Sequence, residues 1–550
     1  IVVQNILSEC IKNSISHVVF SPGSRNSPFA ITFDAHPDIT THVIHDERVA
    51  GFFALGIAQT INKPVILCCT SGSALLNYFP AISEAFYREI PLIVISADRP
   101  KKLVNKGHGQ TIMQSNVYGE HVKNSLSIED LNPQDLITET ALLFSNASSV
   151  PKGPAHLNVH LEEPLYEISN KSGFFENVIL RNQTVKNPIL SLEDLALFND
   201  KKILVLCGQG PEDSRLKKAL VGFNRNSNVI ILNENTSGVN DQSFINCIDR
   251  ILNGIDEKNE KRYTPDMIIT IGGAIVSKRI KAFFIKNKPK KHFAIKHSVI
   301  GTDLFLRIDK HIKTEASLFF EMLNKKTTLL NSKNFKGIWQ QLDTTIKDQI
   351  PIFFKKPSKQ TDLEIFHALY QVLPEKCTLH LGNSSVVRYM QLFDPVPNVK
   401  YECNRGTSGI DGTVSTAVGA AKAKDELTTV ITGDLSFFYD SNALWISPFP
   451  QNLKIILINN KGGSIFRIID GPSQIEELES FFEVKHNLTA ENIAKTFGID
   501  YYFCNDSNSL SSQLSLIYGD NLKRASLLEV STENELNPEI LKRYFKRLKK

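Results

Sequence analysis

Two short apolar runs, each breaking off in a polar turn, constrain this chain more than any other feature. In TVITGDLSFFYDSNALWISPFPQNLKIILINNKGGSIF, Thr429 to Phe466, the β-branched run Val430 to Thr432 stops at Gly433-Asp434. A second run, Lys454 to Ile458, stops at Asn459-Asn460 and then at Gly462-Gly463. The spacing predicts strand, acidic turn, helix, strand and a second polar turn. In a parallel α/β unit both stops fall at carboxyl ends of strands, where such sheets bind ligands. The first turn offers a carboxylate; the second offers an amide oxygen and glycine-flanked carbonyls. Hard oxygen ligands of this kind suit a Mg²⁺ that keeps other positions for phosphate oxygens. The same residues are also ordinary turn chemistry, so the motif alone leaves both readings open.

The rest of the chain repeats this grammar. Apolar runs at 17–20, 41–44, 65–69 and 92–96 stop at SPGSRNSP, HDER, TSGSA and ADRP, with a helix expected over 49–59 and a closing strand over 155–161. Further runs at 202–207, 228–232, 266–272 and 291–296 make a second α/β unit. Its GQG turn lacks the full G-x-G-x-x-G and an acidic partner, so it reads as a glycine-eased turn in a scaffold. Runs at 378–381, 400–403 and 525–530 complete a third unit around the opening stretch. The fold class expected is therefore α/β, with three parallel-sheet domains over 1–170, 171–345 and 346–550, the polar stretch 171–200 reading as a linker. A shift of 363 residues lays Arg25 on Arg388, Gly56-Ile57-Ala58 on Gly419-Ala420-Ala421, and Thr70-Ser71 on Gly433-Asp434. One fold then occurs twice, flanking a middle domain.

Composition narrows the partners. A net charge of +4 on 550 residues is too small to argue for nucleic acid. Apolar runs fall far short of the roughly 20 residues that span a bilayer, and no secretory leader is visible. Eight cysteines show no C-x-x-C spacing, and neighbouring Cys68 and Cys69 would point to opposite faces of a strand. A reducing, cytoplasmic setting is expected. The sequence starts at Ile1 rather than Met, so a few preceding residues are expected.

The Gly433-Asp434 and Asn459-Asn460 turns resemble the GD…NN signature of thiamine-diphosphate enzymes, with Leu435 where many members have Gly. The resemblance implies Asp434, Asn460 and the Gly462 carbonyl as ligands of Mg²⁺, or Mn²⁺. It also implies a carboxyl group that shares a proton with N1′ of the aminopyrimidine. Glu47, in HDERVAGFFALGIAQ, falls opposite Ile410 under the 363 shift and takes that catalytic role; its alternative is a first-turn Glu favoured by the helix dipole. Because the two groups lie on different domains, the resemblance implies a homodimer or homotetramer with active sites at subunit interfaces.

Longer matches are more specific. SPGSRNSP, HDERVAGFFALG, TSGSALLNYFPAISEA, ADRP, GNSSVVR, NRGTSGIDG, GDLSFFYDSNAL and NNKGGSIF look like the 2-succinyl-5-enolpyruvyl-6-hydroxy-3-cyclohexene-1-carboxylate synthase family of menaquinone biosynthesis. In the middle domain the likeness is thin, resting on VSKRI. The family resemblance implies decarboxylation of 2-oxoglutarate and conjugate, Stetter-like addition of the succinyl-semialdehyde carbanion to isochorismate. Both substrates are dicarboxylates, and arginine forks suit them. Carried over by residue, Ser24, Arg25, Arg99, Gln110, Lys278, Arg279, Ser384, Arg388 and Arg405 would contact substrate. Ser384, Ile410, Gly433, Asp434, Leu435, Ser436, Asn460, Gly462, Ile465 and Phe466 would line the cofactor site with Glu47, Ile410 as the wedge that bends it. Gly109 departs from the Asn of some members, which puts one polar contact to isochorismate in doubt. An acetolactate-synthase-like or other 2-oxoacid decarboxylase would need fewer cations, and a non-catalytic scaffold would lack Glu47 or the metal ligands.

Overall fold

Buried strands of parallel sheets read as unbroken apolar runs because both faces are covered, and those runs build all three sheets here. The computed structural model describes residues 2–129, 132–166, 195–298, 300–301, 303–326, 334–355, 360–468, 471–519 and 524–549. Residues 171–194 of the predicted linker lie outside them, while Leu195 and Phe198, at its end, are buried in the core against the second sheet. The first sheet holds β1 (His17–Phe20), β2 (Thr40–Val43), β3 (Val65–Cys69), β4 (Leu92–Asp98), β5 (Asn124–Ile128) and β6 (Ala155–His160), in the order β2-β1-β3-β4-β6-β5. The second holds β7 (Ile203–Cys207), β8 (Val229–Asn233), β9 (Met267–Ile271), β10 (Lys291–Ile295) and β11 (Lys310–Ile312), in the order β11-β10-β9-β7-β8. The third holds β12 (Thr378–Leu381), β13 (Lys400–Cys403), β14 (Thr428–Gly433), β15 (Leu453–Asn459), β16 (Asp500–Cys504) and β17 (Ser526–Ser531), in the order β13-β12-β14-β15-β17-β16.

Numbered from their own first strands, the first and third sheets have one order, 2-1-3-4-6-5. Their first four strands start at His17, Thr40, Val65 and Leu92 against Thr378, Lys400, Thr428 and Leu453, offsets of 361, 360, 363 and 361. The duplication read from turn spacing is therefore a duplication of topology. In both sheets the strand order reverses between the first and third strands, the position where open α/β sheets collect ligands.

The chain divides into two compact units. One comprises Ile1–Thr184, Gly406–Asp425 and Tyr439–Pro450; the other comprises Val185–Arg405, Glu426–Phe438 and Gln451–Lys550. Within the first unit, the helix Glu47–Ile61 starts at Asp46, whose carboxylate accepts the Val49 N–H at 3.1 Å. It ends at Asn62 in the left-handed conformation. Every residue from Val49 to Ala58 is buried, because the helix is covered by strands on one side and by the helix Thr413–Ala423 on the other. A Cβ on Gly56 would lie 2.0 Å from the Thr416 carbonyl oxygen, and one on Gly419 would lie 2.1 Å from that of Phe53. The two glycines, equivalent under the 363 shift, let the helices touch backbone to backbone.

Within the second unit, one core runs from the middle sheet to the third sheet through Trp339, Phe366 and Tyr544. Arg250, 1% exposed, joins them by donating to the Leu392 carbonyl and pairing with Asp394 at 2.9 Å. All eight cysteines are buried and free. Among the described residues no helix is long and apolar enough to cross a membrane.

Candidate functional site: two sets of strand-end residues

In the second unit, β14 delivers Asp434 to the first position of the helix Asp434–Tyr439, 3% exposed. Asp434 Oδ1 accepts the Leu435 N–H at 2.7 Å and Oδ2 accepts the Gly462 N–H at 2.9 Å, so the second turn is clamped directly to the first. Asn459 and Asn460, adjacent at the end of β15, divide the work. Asn459 is structural: its Nδ2 donates to the Leu488 carbonyl and to Glu529, while its Oδ1 accepts the Lys461 N–H. Asn460 Nδ2 donates to Asp362 Oδ2 and Ser464 Oγ, and its Oδ1 is buried with no hydrogen-bond partner. A buried oxygen left unpaired costs free energy unless a bound water or ion completes it. Gly462 has φ +151° and space for no side chain, since a Cβ would sit 2.7 Å from the Glu483 carbonyl oxygen. His486 Nδ1 accepts the Leu488 N–H; its Nε2 lies 3.4 Å from Asp434 Oδ2, buried and without a hydrogen bond. Among the described residues no three His, Cys, Asp or Glu side chains form a metal cluster. A metal here would rely on one carboxylate, one amide, a carbonyl and ligands from outside the protein, the pattern Mg²⁺ favours when it binds phosphates.

The end of β12 carries the second feature. Ser384, at the start of the helix Ser385–Met390, has φ +72° and ψ −122°, a conformation that costs a non-glycine residue about 1–3 kcal/mol. Arg388 donates to the Val276 carbonyl at 3.0 Å, and Arg405 donates to Asn383 Oδ1 at 2.9 Å. Burial, then the neighbouring Arg405 guanidinium, pushes the Arg388 pKa down. The turn ahead of Lys278 is held by Glu234, whose carboxylate accepts the Val276 and Ser277 N–H groups, both at 2.8 Å. Burial raises the Glu234 pKa to about 7. Lys278 and Arg279 open the helix Lys278–Lys286 and are exposed, the Arg279 guanidinium lying 4.7 Å over the Phe545 ring. The GQG turn after β7 is filled by its own sheet, because a Cβ on Gly208 would meet the Gly273 carbonyl oxygen at 2.5 Å.

In the first unit, Glu47 opens its helix beside the N-cap Asp46 and is half-buried. Burial raises its pKa above the usual carboxylate range, against a backbone hydrogen bond that lowers it, with the Asp46 charge adding to the rise. At the end of β1, Ser24 is exposed while Arg25 is 3% exposed. Arg25 donates to the Leu161 carbonyl and to Glu163, and its buried Nε has no partner. At the end of β4, Arg99 reaches Gln110 Oε1 at 3.5 Å, and Gln110 packs over Gly72 in the turn after β3. That turn is held from below: Gln114 accepts the Gly72 N–H at 2.9 Å and donates to Asn158, which donates in turn to Asp98. Beside Gly72, the Ser71 hydroxyl is buried with no hydrogen-bond partner.

Comparison with known proteins decides the family. The chain is 42% identical over 558 residues to a 2-succinyl-5-enolpyruvyl-6-hydroxy-3-cyclohexene-1-carboxylate synthase of Flavobacterium johnsoniae, covering 99% of this chain and 98% of that one. It belongs to this synthase family. A synthase of the same name from Bacteroides thetaiotaomicron is 34% identical over 98% of this chain and 97% of its own length. The thiamine pyrophosphate enzyme family, through its N-terminal TPP binding domain, matches residues 2–117. The crystal structure of benzoylformate decarboxylase from Polynucleobacter necessarius superposes with a TM-score of 0.72 at 16% identity, covering 98% of this chain and 99% of that one, a likeness of fold.

For a synthase of this family the sequence motifs find the strand ends but not what supports them. The second unit brings Asp434 and Gly462 into direct contact, with Asn460 in the same turn, Leu435 and Ser436 on the helix that follows Asp434, and Ile465 and Phe466 on the short helix Ile465–Ile468. Ser384, Arg388 and Arg405 belong to this unit, as do Gly433, Lys278 and Arg279. Ser24, Arg25, Glu47, Arg99 and Gln110 belong to the first unit, with Ile410, which stays 39% exposed. Asp362, His486, Glu234 and Gln114 went unnoticed in the sequence, and Ser71 reads there only as part of the TSGSA turn. Nothing local marks any of those four.

Proposed function

We propose that this chain catalyses the thiamine-diphosphate-dependent decarboxylation of 2-oxoglutarate and the conjugate addition of the resulting four-carbon unit to isochorismate. Near-full-length identity with synthases of that name carries the reading. Thiamine diphosphate would supply the thiazolium that stabilises a carbanion. The unpaired Asn460 Oδ1, the buried Asp434 and the Gly462 carbonyl fit a Mg²⁺ that anchors its diphosphate, Mn²⁺ being an alternative. Glu47 would hold a proton at its carboxyl oxygen for the aminopyrimidine, and its raised pKa supports that role. Arg25, Arg99, Arg388 and Arg405, with Ser24, Gln110, Ser384, Lys278 and Arg279, would bind the substrate carboxylates and hydroxyls. Leu435, Ser436, Ile465 and Phe466 would line the cofactor pocket, with Ile410 as its apolar wedge.

The same reading keeps the three-domain division at 170 and 345, a cytoplasmic setting, and a homodimer or homotetramer whose sites pair Glu47 of one subunit with the metal turn of another. Product analysis tests it. Incubation with 2-oxoglutarate, isochorismate, thiamine diphosphate and Mg²⁺ should yield the synthase product, with none when the cofactor is omitted. Preferential turnover of pyruvate would overturn the substrate assignment.

A further inference from the structure

A side-chain amide offers a cation either an oxygen or two N–H groups, and its two ends have nearly the same shape. Something must therefore choose which end of the Asn460 amide is left unpaired for a metal. Ser464 cannot, because a hydroxyl both donates and accepts. Asp362 can: it is 1% exposed and forms no ion pair among the described residues, and its Oδ2 lies 3.2 Å from Asn460 Nδ2. A carboxylate has no proton to give, so the amide must turn its nitrogen to Asp362, which leaves Oδ1 unpaired on the other side. Asp362 is itself fixed from two directions. The Thr532 hydroxyl donates to its Oδ1 at 2.6 Å, and its own N–H donates to Asn537 Oδ1 at 2.8 Å.

We propose that Asp362 is a positioning residue, holding the Asn460 amide so that Oδ1 faces the metal. This rests on Asp434 and Asn460 being metal ligands, so the experiment separates the two claims. Mn²⁺ affinity is measured by electron paramagnetic resonance on the full chain with saturating thiamine diphosphate, alongside the unfolding midpoint without metal. Asp434→Ala should abolish tight binding; unchanged affinity there would remove the metal site itself. Asp362→Asn should weaken Mn²⁺ about 10- to 100-fold, the usual cost of losing a ligand's orienting partner. Its new amide can present either an oxygen or an N–H group to Asn460, so the Asn460 amide is no longer held with Oδ1 toward the metal.

The exchange variant Asp362→Asn/Asn460→Asp reverses the polarity of the contact. The new carboxylate accepts from residue 362 with one oxygen and offers the other to the metal, so affinity should return to within about tenfold of the parent. Asn460→Asp alone, its carboxylate set against that of Asp362, should bind Mn²⁺ more weakly than the exchange variant, whereas a role in packing alone predicts no such difference. An Asp362→Asn chain that binds Mn²⁺ within twofold of the parent, or an exchange variant that binds no better than Asp362→Asn, overturns the proposal. If Asp362→Asn does not fold, the exchange variant decides alone: tight Mn²⁺ binding supports the assignment and its loss refutes it.

Discussion

At the scale of single residues, chemistry is set by burial and by what each polar atom has left to bind. Glu47 keeps its proton to higher pH because it is half-buried beside a second carboxylate. Glu47→Gln keeps the shape and removes the acid, so turnover should fall by at least about 10³-fold with the unfolding midpoint unchanged; steady-state kinetics and calorimetry check both. Gly109 has nothing within 4 Å of where a Cβ would be. Gly109→Asn should therefore fold normally and, by adding the missing polar contact, lower the isochorismate KM severalfold while leaving 2-oxoglutarate unaffected. His156 is fully buried against Ser96 at 2.7 Å, and burial pushes its pKa down to about 3. Its folded value lies below the unfolded value of about 6.5, so its neutral form stabilises the fold above pH 6.5 and that contribution is lost as pH falls toward 3. Relative to His156→Gln, the parent should lose more thermal stability between about pH 6.5 and pH 4, as melting curves across that range will show.

Helices and strands carry these residues to one end of each sheet, and close backbone contacts fix where they stop. Gly56 and Gly419 permit the helices Glu47–Ile61 and Thr413–Ala423 to meet without side chains between them, which sets the height at which Glu47 stands. Gly419→Ala would drive a methyl to 2.1 Å from a carbonyl oxygen of the other helix. The helices must part, at a cost of about 1–3 kcal/mol or more, read as a drop in unfolding midpoint. Central strands such as β3, β4, β7 and β15 are buried along their whole length, and their boundaries follow from apolar runs. The edge strands β5, β11 and β16 are half-exposed and mixed in composition, so periodicity passes over them.

For the whole molecule, the repeated 2-1-3-4-6-5 sheet makes two ligand-collecting strand ends from one fold. One copy bears the Asp434 and Gly462 turns and the other bears Glu47. If a working site takes one from each of two subunits, two inactive variants should complement each other. Mixing Glu47→Gln with Asp434→Ala under subunit exchange should restore about a quarter of parental activity, since half the dimers are mixed and each then holds one intact site. No recovery would assign both halves to a single subunit.

The order of turns along the chain already contained the α/β class, the duplication, the family and the strand-end residues, because buried parallel strands and the glycine and acidic turns that end them are local in sequence. Three-dimensional packing alone decided the rest. Asn459 and Asn460 are adjacent and chemically identical, yet one is consumed by Leu488 and Glu529 while the other keeps a free oxygen. The orientation of the Asn460 amide follows from Asp362, 98 residues away. No local pattern can encode which end of an amide a distant buried carboxylate will hold.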